Sequence, residues 1–313
     1  MAFIRDNKNR QEPGGLRWGV EPICHVLSEH GVQIAPSTYY EWAGRRPSLW
    51  EERDQMLTVA IVRVYNENFQ VYGARKIWLR LNREGIQVAR CTVERLMRTI
   101  GIKGVHRGKE KRTTIPDETA SLPDDLVNRQ FTPLAPNLLW VCDFTYVSTW
   151  SGWVYVAFVI DAYARRILGW RSATTMSTDL VLDALDQAIW QRRREDHADF
   201  QALVAHSDHG CQYTSLRYGL RLAETGLTPS TGTVGDSYDN ALAETINGLY
   251  KTELIKRHGP WRTVDEVEYA TAEWVDWFNY RRLYEYCGDQ SPVDCETLYY
   301  AKHVTPQLVG SPN

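Results

Sequence analysis

The chain lacks the cysteine pattern of a metal-bound or disulfide-stapled fold. Its six cysteines, at 24, 91, 142, 211, 287 and 295, are scattered, without a CxxC pair or the paired histidines that would complete a zinc site. They read as reduced thiols, mostly in the core. Long apolar runs are also missing. The longest, "VYVAFVI" at 154–160, falls far short of the ~20 residues needed to cross a bilayer. The opening "MAFIRDNKNRQE" has no apolar signal core. These absences lead to the expectation of a soluble cytoplasmic protein with no membrane partner. Internal repeats, low-complexity tracts and coiled-coil heptads are absent too, which excludes solenoid and fibrous architectures.

What is present is enough apolar material for one large or two smaller cores: 313 residues, 43% hydrophobic and 12% aromatic. The net charge of −3 conceals an asymmetry. Residues 1–120 carry 20 Lys and Arg against 14 Asp and Glu, a balance of +6, and the remainder carries 16 against 25, a balance of −9. Within 75–112, 12 basic residues face only Glu84, Glu94 and Glu110. That density is the electrostatic footprint of a phosphate-binding surface.

Periodicity divides the chain. Two helix pairs come first. "VEPICHVLSEHG" is followed by "APSTYYEWAG", where Ser37 is placed to cap a helix after a proline. A helical run over 51–68 precedes "YGARKIWLRLNREG", a glycine turn at Gly85, and "ARCTVERLMRTIG". In the last of these, Val93, Leu96, Met97 and Ile100 form an apolar stripe, so Arg90, Glu94, Arg95 and Arg98 project away from it. Helix, glycine turn and basic helix outline a helix-turn-helix, and the charge concentration favours this over a solvated helical hairpin. Arg90, Arg95 and Arg98 are the candidate DNA contacts. Residues 113–136 hold prolines and little periodicity and read as a linker.

From 138 the pattern becomes extended. "LLWVCDFTYVSTW", "GWVYVAFVIDAYA" and "RRILGWRSATT" predict three successive antiparallel strands. A helix over "TDLVLDALDQAIWQRRR", a short strand in "QALVAHSD", a helix capped by Thr214 or Ser215 and a further short strand follow, and a helix over 236–255 closes an α/β layer with a mixed sheet. The expected divisions are a helical segment at 1–48, a basic helix-turn-helix domain at 49–112, a linker at 113–136, an α/β core at 137–257 and a C-terminal helix and tail at 258–313.

Three carboxylates stand out by context. Asp143 lies in a Trp/Val/Phe-rich strand, where an ionised side chain is costly without a partner or cation. Asp208 ends a second strand in "HSDHG", with Gly210 permitting a sharp exit. Glu244 is the single carboxylate on a polar stripe with Asn240, Asn247 and Lys251. Converging at a sheet edge, the three would bind hard divalent ions such as Mg²⁺ or Mn²⁺, and two such ions suit in-line phosphoryl transfer. Taken singly, each has an ordinary alternative: an edge-strand residue, a turn residue and a solvated helix residue.

"APNLLWVCDFTYVSTWSGWVYVAFVIDAYARRILGW", "HSDHGCQYTS" and "GDSYDNALAETINGLYKTELI" resemble the three catalytic blocks of the retroviral-integrase-core transposases, in particular the second-frame product of two-frame bacterial insertion sequences. The 35 residues between Asp208 and Glu244 match that family's D, D, 35, E spacing. "FQVYGARKIWLRLNREGIQVARCTVERLM" is similar to its helix-turn-helix region, "GVEPICHVL" and "APSTYY" to its N-terminal segment, and "FNYRRLYEYCGDQSPVD" to its tail. The resemblance implies a ribonuclease-H-like mixed-sheet core preceded by all-α helix-turn-helix segments, with Asp143, Asp208 and Glu244 as ligands for two Mg²⁺ or Mn²⁺ ions. It implies a transposase: water cleaves a strand at the element's end, and the liberated 3′-hydroxyl attacks another phosphodiester without a covalent protein intermediate. Implied partners are double-stranded DNA (the element's terminal inverted repeats and the target), further copies of the chain on DNA, and an upstream-frame protein joined by frameshifting. Localisation would be cytoplasmic, at the nucleoid.

Asn240 and Lys251, on the face of Glu244, are secondary candidates for phosphate contact. His206, Ser207, His209 and Tyr213 flank Asp208, while Asp161, Arg165 and Arg166 are read as turn-stabilising. Leu283, Tyr284 and Cys287 replace the family's usual Pro, His and Leu in the tail, and the clusters at Arg192–Arg194 and Lys256–Arg257 partly offset the acidic balance of the second part. The rival readings are a catalytically silent DNA-binding regulator of the element and a ribonuclease-H-like nuclease that cuts without joining.

Overall fold

A computed structural model describes residues 1–15, 17–106, 127, 131–208, 210–231 and 241–303. The chain divides into two compact units, Met1–Ala60 and Ile61–Asn313.

The first unit gathers α1 (Ala2–Asn7), α2 (Val20–Glu29) and α3 (Pro36–Gly44) around Ile4, Val20, Ile23, Cys24 and Tyr39. Helix α1 was not anticipated, because a six-residue element shows too little periodicity to be read. Pro36 starts α3, where a missing N–H costs nothing. Ala35 therefore occupies the cap position, and Ser37 makes no capping hydrogen bond. Helix α4 (Leu49–Glu67) carries the chain into the second unit.

There, α5 (Ala74–Arg83) and α6 (Arg90–Thr99) pack through Ile77, Leu81, Val93, Leu96 and Met97, with Gly85 at φ 85° in the turn between them. The expected linker lies largely outside the described residues. The sheet and its helices follow as β1 (Leu139–Thr149), β2 (Gly152–Asp161), β3 (Arg166–Ala173), α7 (Thr178–Arg194), β4 (Val204–Ser207), α8 (Leu216–Thr225) and β5 (Thr228–Thr231). Strand order is β3-β2-β1-β4-β5, with β1 to β3 antiparallel and β4 and β5 parallel to β1. This is the mixed sheet of a ribonuclease-H-like fold. Ser215 caps α8 by accepting from the Tyr218 amide, as the sequence suggested.

Helix α7 lies unusually close to β3. A Cβ on Gly169 would stand 2.0 Å from the Ala184 carbonyl oxygen, so only glycine fits there. Trp140, Cys142, Ala157, Leu168, Leu185 and Ile189 fill the layer between sheet and helix. On the opposite face lie α9 (Ala241–Tyr250), a π-helical turn over Lys251–Ile255, the short α10 (Lys256–His258) and α11 (Val264–Tyr280), whose Trp274 and Phe278 pack near Phe158 and Tyr250. Helix α12 (Pro292–His303) ends the described chain.

The C-terminal segment is built into this second unit. Arg75 makes two hydrogen bonds to the Asp289 carboxylate at 2.7 and 2.6 Å, Arg83 donates to the Asp289 carbonyl, and the Tyr72 hydroxyl accepts from the Leu283 amide. Arg282 is buried against Glu253, and Leu283 and Cys287 are core residues. The tail positions that depart from the family pattern thus fill apolar space. Two basic clusters credited with offsetting the acidic charge also have internal duties. Arg192 is fully buried, and Arg257 donates to the Phe69 carbonyl, the Tyr65 hydroxyl and the Gln70 side chain. Of the six cysteines, Cys24, Cys142 and Cys287 are buried, Cys295 is intermediate, and Cys91 and Cys211 are exposed, so the thiols are less uniformly core than expected.

Candidate active site

Pairing sets the position of Asp143. Strand β1 hydrogen-bonds to β2 along its whole length, but its other edge pairs with β4 only from Leu139 to Cys142. Asp143 is the first β1 residue beyond that pairing, and Asp208 is the first residue after β4. The end of β4 therefore delivers Asp208 beside Asp143, and α9 brings Glu244 over the same edge. Asp143 accepts from the Phe144 amide at 2.8 Å and from the Asn247 side chain at 2.9 Å. Asp208 accepts from the Gly210 amide at 3.0 Å.

Burial, aided by the negative fields of Asp208 and Glu244, pushes the Asp143 carboxyl well above the usual carboxylate range, and its two hydrogen bonds only partly oppose this. The three carboxylates predicted from sequence therefore share one electrostatic neighbourhood. They do not form a closed cage: among the described residues no three His, Cys, Asp or Glu side chains stand close enough to hold an ion. The oxygen-only donor set suits a hard divalent cation, and Asp143 has no ion-pair partner among the described residues. In donor chemistry, though not in the spacing of the three side chains, the residues present fit such an ion.

Other candidates fare differently. His206 is fully buried and its Nδ1 lies 2.9 Å from the Ser230 hydroxyl, a packing role. His209 and Asn240 lie outside the described residues. Gly210 does not adopt a positive φ; its value is spatial, since a Cβ there would come within 3.0 Å of the Asp208 carboxylate. Lys251 places its ammonium 4.7 Å from the centre of the Tyr146 ring. Arg90 is exposed and paired with Glu94 at 2.8 Å, Arg98 is exposed, and Arg95 is half-buried. Asp161, Arg165 and Arg166 do hold structure: Asp161 accepts from the Asn137 and Tyr163 amides and from Arg192.

Sequence reading assigned no role to Asn247. It lies on the stripe of Glu244, one helical turn on, yet is 8% exposed, because the stripe faces β1 rather than solvent. Its Oδ1 accepts no hydrogen bond among the described residues. Tyr213 was noted only as a neighbour of Asp208. Its buried hydroxyl also has no hydrogen-bond partner among the described residues, and burial, with the fields of Asp143, Cys142 and Asp208, holds it protonated. An asparagine three residues after a candidate acidic ligand was the available signal for the first; nothing local marked the second.

Sequence relatives match along most of the chain. Residues 133–237 match the Integrase core domain family, 225–292 match a second Integrase core domain family, and 51–110 match the HTH-like domain. A protein of Mycobacterium tuberculosis named as a transposase for insertion sequence element IS986/IS6110 is 63% identical over 275 residues, covering 88% of this chain and 99% of that one. The transposase for insertion sequence element IS629 of Shigella sonnei is 53% identical over 290 residues, covering 91% and 94%. The chain belongs to the insertion-sequence transposases. At 30% identity or below, the likeness still extends along the chain: transposase InsF for insertion sequence IS3A of Escherichia coli is 29% identical over 302 residues, covering 95% and 98%. Among solved structures, the HTLV-2 integrase catalytic core domain in complex with magnesium is 15% identical with a TM-score of 0.40, covering 52% of this chain and 98% of that one.

Proposed function

We propose that this transposase cuts a DNA strand at each end of its element and joins the freed 3′-hydroxyl to a target strand, with Asp143, Asp208 and Glu244 as the ligands of two Mg²⁺ or Mn²⁺ ions. The carrying observation is Asp143, a desolvated carboxylate under the negative field of two more, in a chain of this family. Such ions would supply charge stabilisation for the attacking and leaving oxygens of in-line displacement. The chain's own part is placement. Asn247 and the Phe144 amide fix the Asp143 carboxylate, the Gly210 amide fixes that of Asp208, and Lys251 and Asn240 serve the phosphate beside them.

Recognition falls to residues 49–112. Arg90, Arg95 and Arg98 on α6 meet phosphates of the terminal inverted repeat, and binding weakens steeply with salt. Residues 137–257 carry out the chemistry, and 258–303 brace them against residues 61–106 within the second unit. The active species is an assembly of several copies on DNA, joined in full activity by the upstream-frame protein, in the cytoplasm at the nucleoid.

The test uses a labelled duplex bearing the element's own ends, with Mg²⁺, Mn²⁺ or EDTA, beside a Glu244→Gln variant. Metal-dependent nicking and joined products, reduced about 10³-fold or more in the variant, are expected. Nicking without joining favours the nuclease reading. Binding without chemistry, both for this chain and for its fusion to the upstream frame, favours the silent regulator.

A further inference from the structure

Beyond the carboxylates, β1 and β2 continue into a hairpin with an aromatic surface. Tyr146 is 50% exposed, Trp153 53% and Trp150 70%. Tyr146 and Ser148 alternate onto one face of β1, and their cross-strand partners Tyr155 and Trp153 share it. The rings of Tyr146 and Trp153 meet edge to face at 5.3 Å. Two cations lie against this surface: the Lys251 ammonium over Tyr146 at 4.7 Å and the Arg262 guanidinium over Trp150 at 5.3 Å. The tip is held in place, since the Trp150 and Ser151 amides donate to the Trp261 and Arg262 carbonyls.

The arrangement has a direction. Helix α9 meets β1 at Asn247 to Asp143, and the π-helical turn that continues it meets β1 at Lys251 to Tyr146. Helix and strand thus run the same way from the carboxylates toward the tip. Tyr146 lies about 10 Å along the strand from Asp143 and on the opposite face of the sheet. The path between them therefore crosses the β1 edge that β4 leaves uncovered beyond Cys142, where Lys251 stands over Tyr146. A nucleic-acid strand leaving the carboxylates along this edge meets the lysine and tyrosine first, then Trp153, Trp150 and Arg262. Exposed rings backed by cations suit unpaired bases, whose faces stack on aromatics whatever their identity while the cations take the backbone charge. A paired duplex hides those faces.

We infer that Tyr146, Trp153 and Trp150, with Lys251 and Arg262, form a stacking platform for unpaired nucleotides next to the scissile phosphodiester. This rests on the transposase reading of the adjoining carboxylates. The platform selects DNA whose end is frayed or already nicked, and holds the strand so that its backbone passes the carboxylates.

The test measures binding in EDTA, so that chemistry plays no part. The full chain is titrated with two synthetic duplexes, one blunt and one ending in a short unpaired extension that carries 2-aminopurine. The wild type should bind the extended duplex more tightly and quench its fluorescence. Trp153→Ala and Tyr146→Ala should each weaken that binding about tenfold and lose quenching while leaving the blunt duplex unaffected. Tyr146→Phe, which keeps the ring, should retain both. Equal binding of the two duplexes by the wild type without quenching, or equal weakening of both by the variants, overturns the platform. So does a variant-induced change in association state by light scattering without loss of quenching, which assigns the patch to protein contact. Quenching that persists while the wild type and its upstream-frame fusion fail to cut element ends overturns the transposase reading instead.

Discussion

Two groups of acidic side chains lie in the same unit, and their surroundings differ. At one end of the sheet, Arg192 is completely buried, held at 2.8 Å by Asp161 and at 2.8 and 2.7 Å by the two oxygens of Glu296. Arg166 adds Glu296 at 2.8 Å and Glu195 at 2.5 Å. Three residues along β1 from Trp140, the cross-strand partner of Asp161, Asp143 has two neutral donors and the negative fields of Asp208 and Glu244. The first group ties α12 to α7, β2 and β3. In the second group Asp143 has no ion-pair partner among the described residues. Acidic residues brought in beside arginines hold structure; an acidic residue buried among its own kind is kept for a task.

The largest expected effect comes from breaking the structural group. Arg192→Ala leaves Asp161 and Glu296 buried without their shared cation and should cost about 3–5 kcal/mol, a large part of a typical domain's stability. Urea denaturation checks it, and a loss under 1 kcal/mol would erase the contrast between the two groups. Next, Asn247→Ala removes the only side-chain donor to Asp143 among the described residues. Strand cleavage should fall about 10–100-fold at saturating DNA with DNA affinity retained, as when a group that orients a ligand is lost. A loss confined to affinity would make Asn247 a DNA contact instead.

The smallest effect concerns acid. Burial would raise the Glu296 carboxyl, but Arg192 and Arg166 outweigh it and hold the group below its ordinary value. Its stabilising share is therefore present above the unfolded carboxylate value of about 4.3 and lost as pH falls through its lowered folded value. Asp161 moves the other way, since burial exceeds the help it receives from Arg192, so it offsets part of that loss. Glu296→Gln should flatten the fall in thermal midpoint between about pH 5 and pH 3. An unchanged slope would remove Glu296 from the account of acid unfolding.

Much of the fold was readable because alternation and turn chemistry are local. The three-strand meander, the short β4 and the Ser215 cap depend on residues adjacent in sequence. The carboxylates were readable for a different reason: Asp143 conflicts with its apolar strand, and such conflicts mark sites. What was hidden depends on long range. Arg192 sits among three consecutive arginines that look like one surface cluster, and only its distance from Glu296, 104 residues on, separates it from its neighbours. The clasp of Arg75 on Asp289 spans 214 residues. Asn247 drew no role because the helix period shows that polar residues share a stripe without showing what the stripe faces.

The central claim is that the acidic group at Asp143 is kept for cations and the one at Glu296 for the fold. The most direct measurement is a thermal-shift titration of the full chain with Mn²⁺, comparing wild type, Asp143→Asn and Glu296→Gln. The account predicts that Mn²⁺ raises the midpoint of the wild type and of Glu296→Gln by similar amounts, each from its own baseline, and leaves Asp143→Asn unmoved. An equal Mn²⁺ response in Asp143→Asn and the wild type would contradict it.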